Sequence, residues 1–468
     1  MISATLIASA QWLFLGYFVG LTLLYLSLNL ISLVVTLRDR RQRIPGELSS
    51  IYSGLEPPIS LLVPAYNEET TIVASIKSML QLNYPQMEVI IINDGSRDGT
   101  LDVLKREFRL IPFPEIHRMQ LPTKAVRGIY RSPVHKNLRV IDKENGGKAD
   151  SINAGINSVR HPLFCVVDAD SILQRDSLRQ LVAPFMDDPS VVAAGGAVRI
   201  ANGCEVSGGF LKSVGLPRNP LALFQVIEYL RAFLFGRMGW APLNAIMIIS
   251  GAFGIFRRDL VVEAGGYRTD SVGEDMELVV RLHRLRRAAR QPCRVVFLTE
   301  PVCWTEAPED LRTLQNQRMR WQRGLMESLW LNRSLLFSRH GGAVGWIAFP
   351  AMLFFEGIGP LIEVAGYLFM VFAAVGGLIS WQACAIFLML ALWLGLLLSA
   401  SGLLLEQLHF NAYPKTSQLL GLILGLLGEN LGYRQLNSWW RLRGLWHWMR
   451  GARGNWGKMR RKGSWQRT

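Results

Sequence analysis

The sequence predicts an α/β domain flanked by transmembrane helices, and three observations carry that expectation. Short apolar runs at residues 59–64, 89–92 and 163–167 each end in a polar loop rich in Asn, Asp or Glu. Such runs read as buried strands feeding loops. Between the first two, Ile72, Val73, Ile76, Met79 and Leu80 recur at helical spacing, so strand, helix and strand succeed one another in the order of a parallel sheet. Finally, long apolar blocks at residues 11–37 and from 343 onward bracket this mixed region.

The 468 residues suffice for one globular domain plus membrane segments. A net charge of +15 suits nucleic acid, anionic lipid or a nucleotide. The basic residues cluster at the flanks of the apolar blocks and no nucleic-acid motif occurs, so no nucleic-acid partner is expected. The five cysteines (Cys165, Cys204, Cys293, Cys303 and Cys384) are odd in number and lack a Cys-x-x-Cys pair. They predict small apolar fillers in a reducing compartment rather than a zinc site or a disulfide framework.

Residues 11–37 are long enough for a bilayer core of roughly 30 Å. The run lacks a charged leader and a small-residue cleavage site, which predicts a retained span. The basic cluster Arg38-Asp39-Arg40-Arg41-Gln42-Arg43 places the next domain in the cytoplasm. The second block is apolar from 343 to 379 except for Glu356 and Glu363, with Gly357, Gly359 and Pro360 as breakers. It predicts an interfacial or partly inserted segment, then a span near 360–379, with another span at 382–405. Residues 418–431 fall short of the roughly 20 that a span needs and carry Glu429 and Asn430, so they predict a re-entrant or interfacial piece. Glu356, Glu363 and Glu429 either line a polar path or sit at the interface. After Glu429 the tail has no acidic residue and interleaves arginines with Trp439, Trp440, Trp446, Trp448, Trp456 and Trp465. It predicts a cytoplasmic segment lying on anionic lipid, or a disordered basic tail. The expected domains are therefore 1–37, 38–340, 341–435 and 436–468.

The chemistry-bearing residues lie in the second of these. The first strand runs into Asn67 and Glu68, and the second into Asp94, followed by Gly95-Ser96-Arg97-Asp98-Gly99. Ligands in such sheets sit outside the carboxyl ends of the strands, where these residues could hold a base and a ribose. Asp94 has a second reading as the cap of the next helix. Residues 108–133 read as a loop-rich insertion. In Asn145-Gly146-Gly147-Lys148 the glycines permit close backbone approach, and Lys148 could meet a phosphate. The third run ends in Asp168-Ala169-Asp170, and extended residues two apart face the same side. Two such carboxylates can hold a divalent cation, Mg2+ or Mn2+, that would bridge a diphosphate. Ser250-Gly251-Ala252-Phe253-Gly254 is a Gly-rich turn suited to packing near a sugar. Glu274 and Asp275 open a helical pattern, where Asp275 is either a cap or a general base for an acceptor hydroxyl. Arg281, Arg284, Arg286, Arg287 and Arg290 predict a solvated or lipid-facing surface. Gln317-Arg318-Met319-Arg320-Trp321 closes the region just before the second apolar block.

In this order the elements resemble the membrane-integrated family-2 glycosyltransferases, a group that includes cellulose, hyaluronan, chitin and poly-N-acetylglucosamine synthases. The resemblance covers residues 55–440. It implies a GT-A nucleotide-sugar fold and inverting transfer from a UDP-sugar, UDP-N-acetylglucosamine or UDP-glucose, to a growing β-linked polysaccharide. It also implies that Asp94 contacts the uracil, that Asp168 and Asp170 bind the metal, and that Asp275, beside Glu274, is the base. Gln317, Arg320 and Trp321 match the Gln-x-x-Arg-Trp motif at the diphosphate and acceptor end, with Ser250 and Gly251 on the acceptor side. Gly273 departs from the Thr of the family's Thr-Glu-Asp. The implied setting is a bacterial inner membrane with the catalytic domain in the cytoplasm, lipids as neighbours, and export or regulatory subunits, if any, on separate chains. Transfer to a lipid acceptor is a rival expectation. A non-catalytic membrane scaffold or sugar-nucleotide sensor is another, but it needs neither Asp275 nor the aspartate pair.

Overall fold

The structure, a computed structural model, describes residues 4–42, 54–114, 119–207, 209–377, 379–409 and 412–451. It opens with helix α1 (Ala4–Gln42), which continues past residue 37 into the basic cluster. Strands β1 (Ile59–Ala65) and β2 (Met87–Asn93) flank α2 (Ile72–Met79). Then come α3 (Thr100–Glu107), β3 (Ile111–Pro112), β4 (Val126–Arg131), β5 (Leu138–Lys143) and α4 (Lys148–Ser158). Next are β6 (Leu163–Val167), β7 (Ile172–Leu173), α5 (Ser177–Asp187), β8 (Val191–Ile200), and the small hairpin β9 (Glu205–Ser207) and β10 (Phe210–Ser213). Helix α6 (Pro220–Arg231) runs into a π-helical turn, Ala232–Arg237. The domain closes with β11 (Phe253–Arg257), α7 (Arg258–Glu263), α8 (Glu274–Ala288), β12 (Arg294–Thr305) and α9 (Leu311–Leu331). The apolar part comprises α10 (Val344–Gly357), α11 (Gly359–Val375), α12 (Trp381–His409), α13 (Thr416–Gly428) and α14 (Arg434–Met449).

Ten strands form one sheet in the order β3-β4-β5-β2-β1-β6-β11-β8-β12-β7. Its centre, β5-β2-β1-β6, is parallel. β1, β2 and β6 are buried on both faces, which is why they read as largely continuous apolar runs, whereas the equally buried β5 carries Arg139, Asp142 and Lys143. The chain winds outward from β1 to β2 and β5, then returns to place β6 on the other side of β1. That reversal opens a crevice at the carboxyl ends of β1 and β6, where such sheets bind ligands. Asn67, Glu68, Asp94, Asp168 and Asp170 all lie just past these strand ends.

The segment expected to be an inserted loop, 108–133, instead supplies two strands of the main sheet, because β4 pairs antiparallel with the buried β5. The arginines after Asp275 divide. Arg281 is buried and bonded to Glu277 at 2.9 Å, because it sits one helical turn along on the inner face of α8. Arg284 donates to Asn332 at 2.8 Å, Arg286 is half-buried and donates to Gln291, and Arg290 is exposed.

Among the described residues, one helix, over Ser9–Arg38, is long and apolar enough to cross a membrane. α10 and α11 pass the same test as one span bent by about 40° at residue 358, next to Gly357, Gly359 and Pro360. α13 is followed by a kink at Leu431 and Gly432, where Gly432 has φ +100°. The Trp-rich segment does not lie apart as a tail. α14 packs against α9 and α11, with Trp440 and Leu445 buried and Trp439 and Trp446 exposed. Gly444 makes this possible, since a Cβ there would stand 2.6 Å from the Met319 carbonyl oxygen. The remainder of that basic stretch, from 452, lies outside the described residues. Of the cysteines, Cys165, Cys204, Cys293 and Cys303 are buried free thiols, and the side chain of Cys384 lies outside the described set.

Candidate active site

Three loops meet at the crevice. Asn67, held at φ +56°, accepts from the Arg97 amide at 2.8 Å and donates its own amide to Ser96 Oγ at 3.0 Å, tying the loops after β1 and β2 together. Glu68 lies beside it, its backbone amide donating to Thr100 Oγ1 at 2.9 Å and its carboxylate accepting from Thr71 Oγ1 at 2.8 Å. Asp94 is buried and faces the loop after β5. Its carboxylate accepts from Lys143 Nζ at 2.7 Å, the Gly146 amide at 2.9 Å, the Gly147 amide at 2.8 Å and Asn145 Nδ2 at 3.1 Å. Asp94 therefore does not cap α3; Asp98 bonds the Thr100 amide there, at 3.1 Å. Lys143, buried between two carboxylates, also reaches Asp150 at 2.6 Å. No sequence signal marks this role, because a lysine in a strand reads as a solvent-facing charge until its partners are placed.

The loop that Asp94 shapes delivers Lys148 to the first turn of α4. Lys148 Nζ donates to Asp168 Oδ1 and to the Gly251 carbonyl at 3.1 Å. The Gly251 amide in turn donates to Asp275 Oδ2 at 3.2 Å. A connected chain thus runs from the Asp-x-Asp pair through Lys148 and the Gly-rich turn to Asp275. Burial would lower the Lys148 pKa, but the Asp168 carboxylate beside it, then Glu274, outweigh that and raise it.

Asp275 sits in the first turn of α8, where the backbone dipole favours an anion; the N-cap position belongs to Gly273. Glu274, buried next to it, is pushed up to about 7 by desolvation and then by the Asp275 charge, against the pull of Lys148 and Arg320. The folded state therefore holds this proton more tightly than the unfolded chain, whose value is near 4.5. The stabilisation is fully present below 4.5 and is lost as pH rises through about 7. Glu274→Gln is expected to flatten the fall in thermal stability across that window, read as Tm by tryptophan fluorescence at successive pH values. An unchanged slope would refute the assignment.

α9 begins where Asp310 caps the Thr313 amide at 2.8 Å, and it carries the Gln-x-x-Arg-Trp residues. Gln317 is buried, and its Oε1 has no hydrogen-bond partner among the described residues. Trp321 is 41% exposed, with the Arg318 guanidinium over its ring at 4.4 Å and Tyr229 at 6.5 Å. Arg318, an unassigned position inside the motif, is fixed by Glu228 at 2.7 Å and by the Tyr433 hydroxyl at 3.4 Å. One cavity of about 2000 Å³ touches all of these groups: Asn67, Glu68, Asp94, Lys148, Asp168, Asp170, Ser250, Gly251, Glu274, Asp275, Gln317, Arg320 and Trp321. It continues among the apolar helices to Glu356, Glu363 and Glu429. There the carboxylates are paired, Glu356 with Arg441 at 2.8 Å and Glu429 with Arg231 at 2.7 Å, while Glu363 accepts from Ser438.

A divalent ion fits this donor set in one respect. Among the described residues no group of three or more His, Cys, Asp or Glu converges. Asp168 and Asp170 nevertheless both line the cavity. Mg2+ is commonly held by one or two carboxylates, with substrate phosphates and water completing the shell.

A mixed sheet with a crevice at its switch point, lined by carboxylates at the strand ends and at the start of α8, is an architecture of the GT-A type. The chain belongs to the family-2 glycosyltransferases: it matches "Glycosyl transferase family 2" over residues 60–261 and "Glycosyl transferase family group 2" over 163–397. It is 30% identical over 274 residues to the poly-beta-1,6-N-acetyl-D-glucosamine synthase of Staphylococcus aureus strain COL, and 28% identical over 272 residues to that of Staphylococcus epidermidis. Each match covers 58% of this chain and 55% of the relative, so the chain spans about half the length of the curated relatives it matches. Among solved structures, a mannosyltransferase from Pyrobaculum calidifontis, in complex with GDP-Man and Mn2+, aligns with a TM-score of 0.51 at 18% identity, covering 89% of this chain and 99% of that one. At that identity the likeness is one of fold.

Proposed function

We propose that this chain is an inverting transferase that moves a sugar from a UDP-sugar, UDP-N-acetylglucosamine in the first instance, onto a growing β-linked polysaccharide at a membrane. The observation that carries the reading is the chain of contacts from Asp168 through Lys148 and Gly251 to Asp275. On this reading it sets the residues that would hold a diphosphate-binding cation and a candidate base on opposite sides of one turn. The naming of the staphylococcal relatives supports the choice of sugar.

In this reading Asn67, Glu68 and Asp94 frame the nucleotide, Asp94 by fixing the 145–147 loop. Asp275 takes the proton of an acceptor hydroxyl as its oxygen attacks the anomeric carbon from the face opposite UDP. The new glycosidic bond forms as the bond from carbon to diphosphate oxygen breaks, so α becomes β and UDP leaves. Lys148 and Arg320 supply positive charge to that oxygen, and Gln317 and Trp321 hold the acceptor end. A divalent cation held by Asp168 and Asp170 would neutralise the diphosphate. α1, the α10–α11 pair and α12 would cross the membrane, with the sheet and α14 on the cytoplasmic side. The ion-paired extension of the cavity would receive the product.

The test is purified protein with a panel of nucleotide sugars, measuring UDP release and product size. Long products from UDP-N-acetylglucosamine support processive synthesis. Single additions to lipid favour the other acceptor, which the apolar Leu21, Met352, Phe355 and Leu398 along the same cavity could accommodate. Excess chelator is expected to abolish transfer, and added Mg2+ or Mn2+ to restore it. Full activity in chelator would exclude an essential metal.

A further inference from the structure

Arg237 lines the same cavity as Asp275 but belongs to none of the sequence motifs. It ends the π-helical turn Ala232–Arg237, an irregularity of a kind often kept where a helix must aim a side chain. Its guanidinium lies over the Phe233 ring at 3.9 Å and near the Phe297 ring at 5.9 Å. These contacts hold the cation against the aromatic wall. Nη1 is buried and, among the described residues, meets no hydrogen-bond acceptor. An unanswered donor on a buried cation is costly, and such a cost is met when a ligand supplies the acceptor. Two other arginines of the cavity are held by carboxylates, Arg318 by Glu228 and Arg231 by Glu429, although Arg318 Nε and Nη1 also meet no acceptor among the described residues. The placement also has a direction. Arg237 feels the Asp275 charge, which works against the lowering of its pKa to about 10 by burial. Gln317 Oε1, lining the same cavity, is a buried acceptor without a donor among the described residues, so the wall offers both halves of what a sugar hydroxyl needs.

Resting on the transferase reading, we propose that Arg237 is an acceptor-binding residue: it donates to a hydroxyl or amide-carbonyl oxygen of the acceptor sugar whose hydroxyl Asp275 deprotonates. The stacked guanidinium holds that sugar on the Asp275 side of the anomeric carbon and takes no part in binding the nucleotide.

The experiment uses the full chain in detergent with UDP-N-acetylglucosamine and a short β-linked N-acetylglucosamine oligosaccharide. Arg237→Met is expected to raise the acceptor KM by roughly tenfold to a hundredfold, the loss of one charged hydrogen bond. UDP binding, and UDP release without acceptor, should match the parent. Arg237→Lys should recover part of the loss. If the parent transfers sugar and Arg237→Met keeps its acceptor KM, this assignment alone is overturned. If both variants lose UDP binding, Arg237 shapes the donor site and the assignment also fails. A parent inert towards every acceptor overturns the transferase reading, and this inference with it.

Discussion

Asp275→Asn is expected to bind UDP as the parent does while sugar transfer falls by about 10²–10⁴-fold, the usual worth of a general base. The asparagine keeps the shape of the side chain and an oxygen that can still accept from the Gly251 amide, now at 3.2 Å. The loops that would hold the nucleotide are built separately, around Asp94 and Asn67. Binding and chemistry should therefore separate cleanly. Isothermal titration with UDP beside a radiolabelled transfer assay makes the comparison, and normal turnover would remove Asp275 from the mechanism.

The second large effect belongs to Gly273. A Cβ added there would stand 2.7 Å from the Gly324 Cα, and a Cβ at Gly324 would meet the Gly273 Cα at 2.7 Å. The start of α8 and the middle of α9 thus touch backbone to backbone, one turn from Trp321. The obstacle on each side is main chain, so it cannot swing aside. Gly273→Thr, which restores the residue common in the family's motif, is expected to push α9 away from Asp275 and cost on the order of 100-fold in turnover. UDP affinity should change far less. Gly324→Ala should reproduce the defect, and a fully active Gly273→Thr would show that the contact is slack.

Both expectations join residues distant in sequence, and this marks the limit of what a linear pattern conveys. The strand ends, and the acidic residues just past them, are legible because buried parallel strands are continuous apolar runs punctuated by polar loops. The departure at Gly273 is legible as a departure, but its reason lies in Gly324. Asp94 is recognisable as a candidate site residue, yet its bonds turn inward to the 143–147 loop, which no local pattern reveals. Arg237 and Glu228 sit in stretches whose periodicity carries no chemical signature, and Arg318 is an unassigned position of its motif. Their meaning comes from the cavity. Residues 434–449 pack one face on α9 and α11 for a related reason: alternating Trp and Arg describe a surface helix equally well on a bilayer or on α9.

The ion pair between Arg199 on β8 and Glu406 on α12, at 2.8 Å with both side chains buried, bears on how this molecule is put together. So do Arg231 with Glu429, and Gln322, which donates to the Gly357 carbonyl at 2.8 Å. A boundary near residue 340 separates compositions but not structures. An isolated sheet domain would be left with stranded buried charges, each costing roughly 3–5 kcal/mol. The helices after α9 are thus a wall of the enzyme's own reaction vessel, and the sheet end and the apolar end form one indivisible machine part.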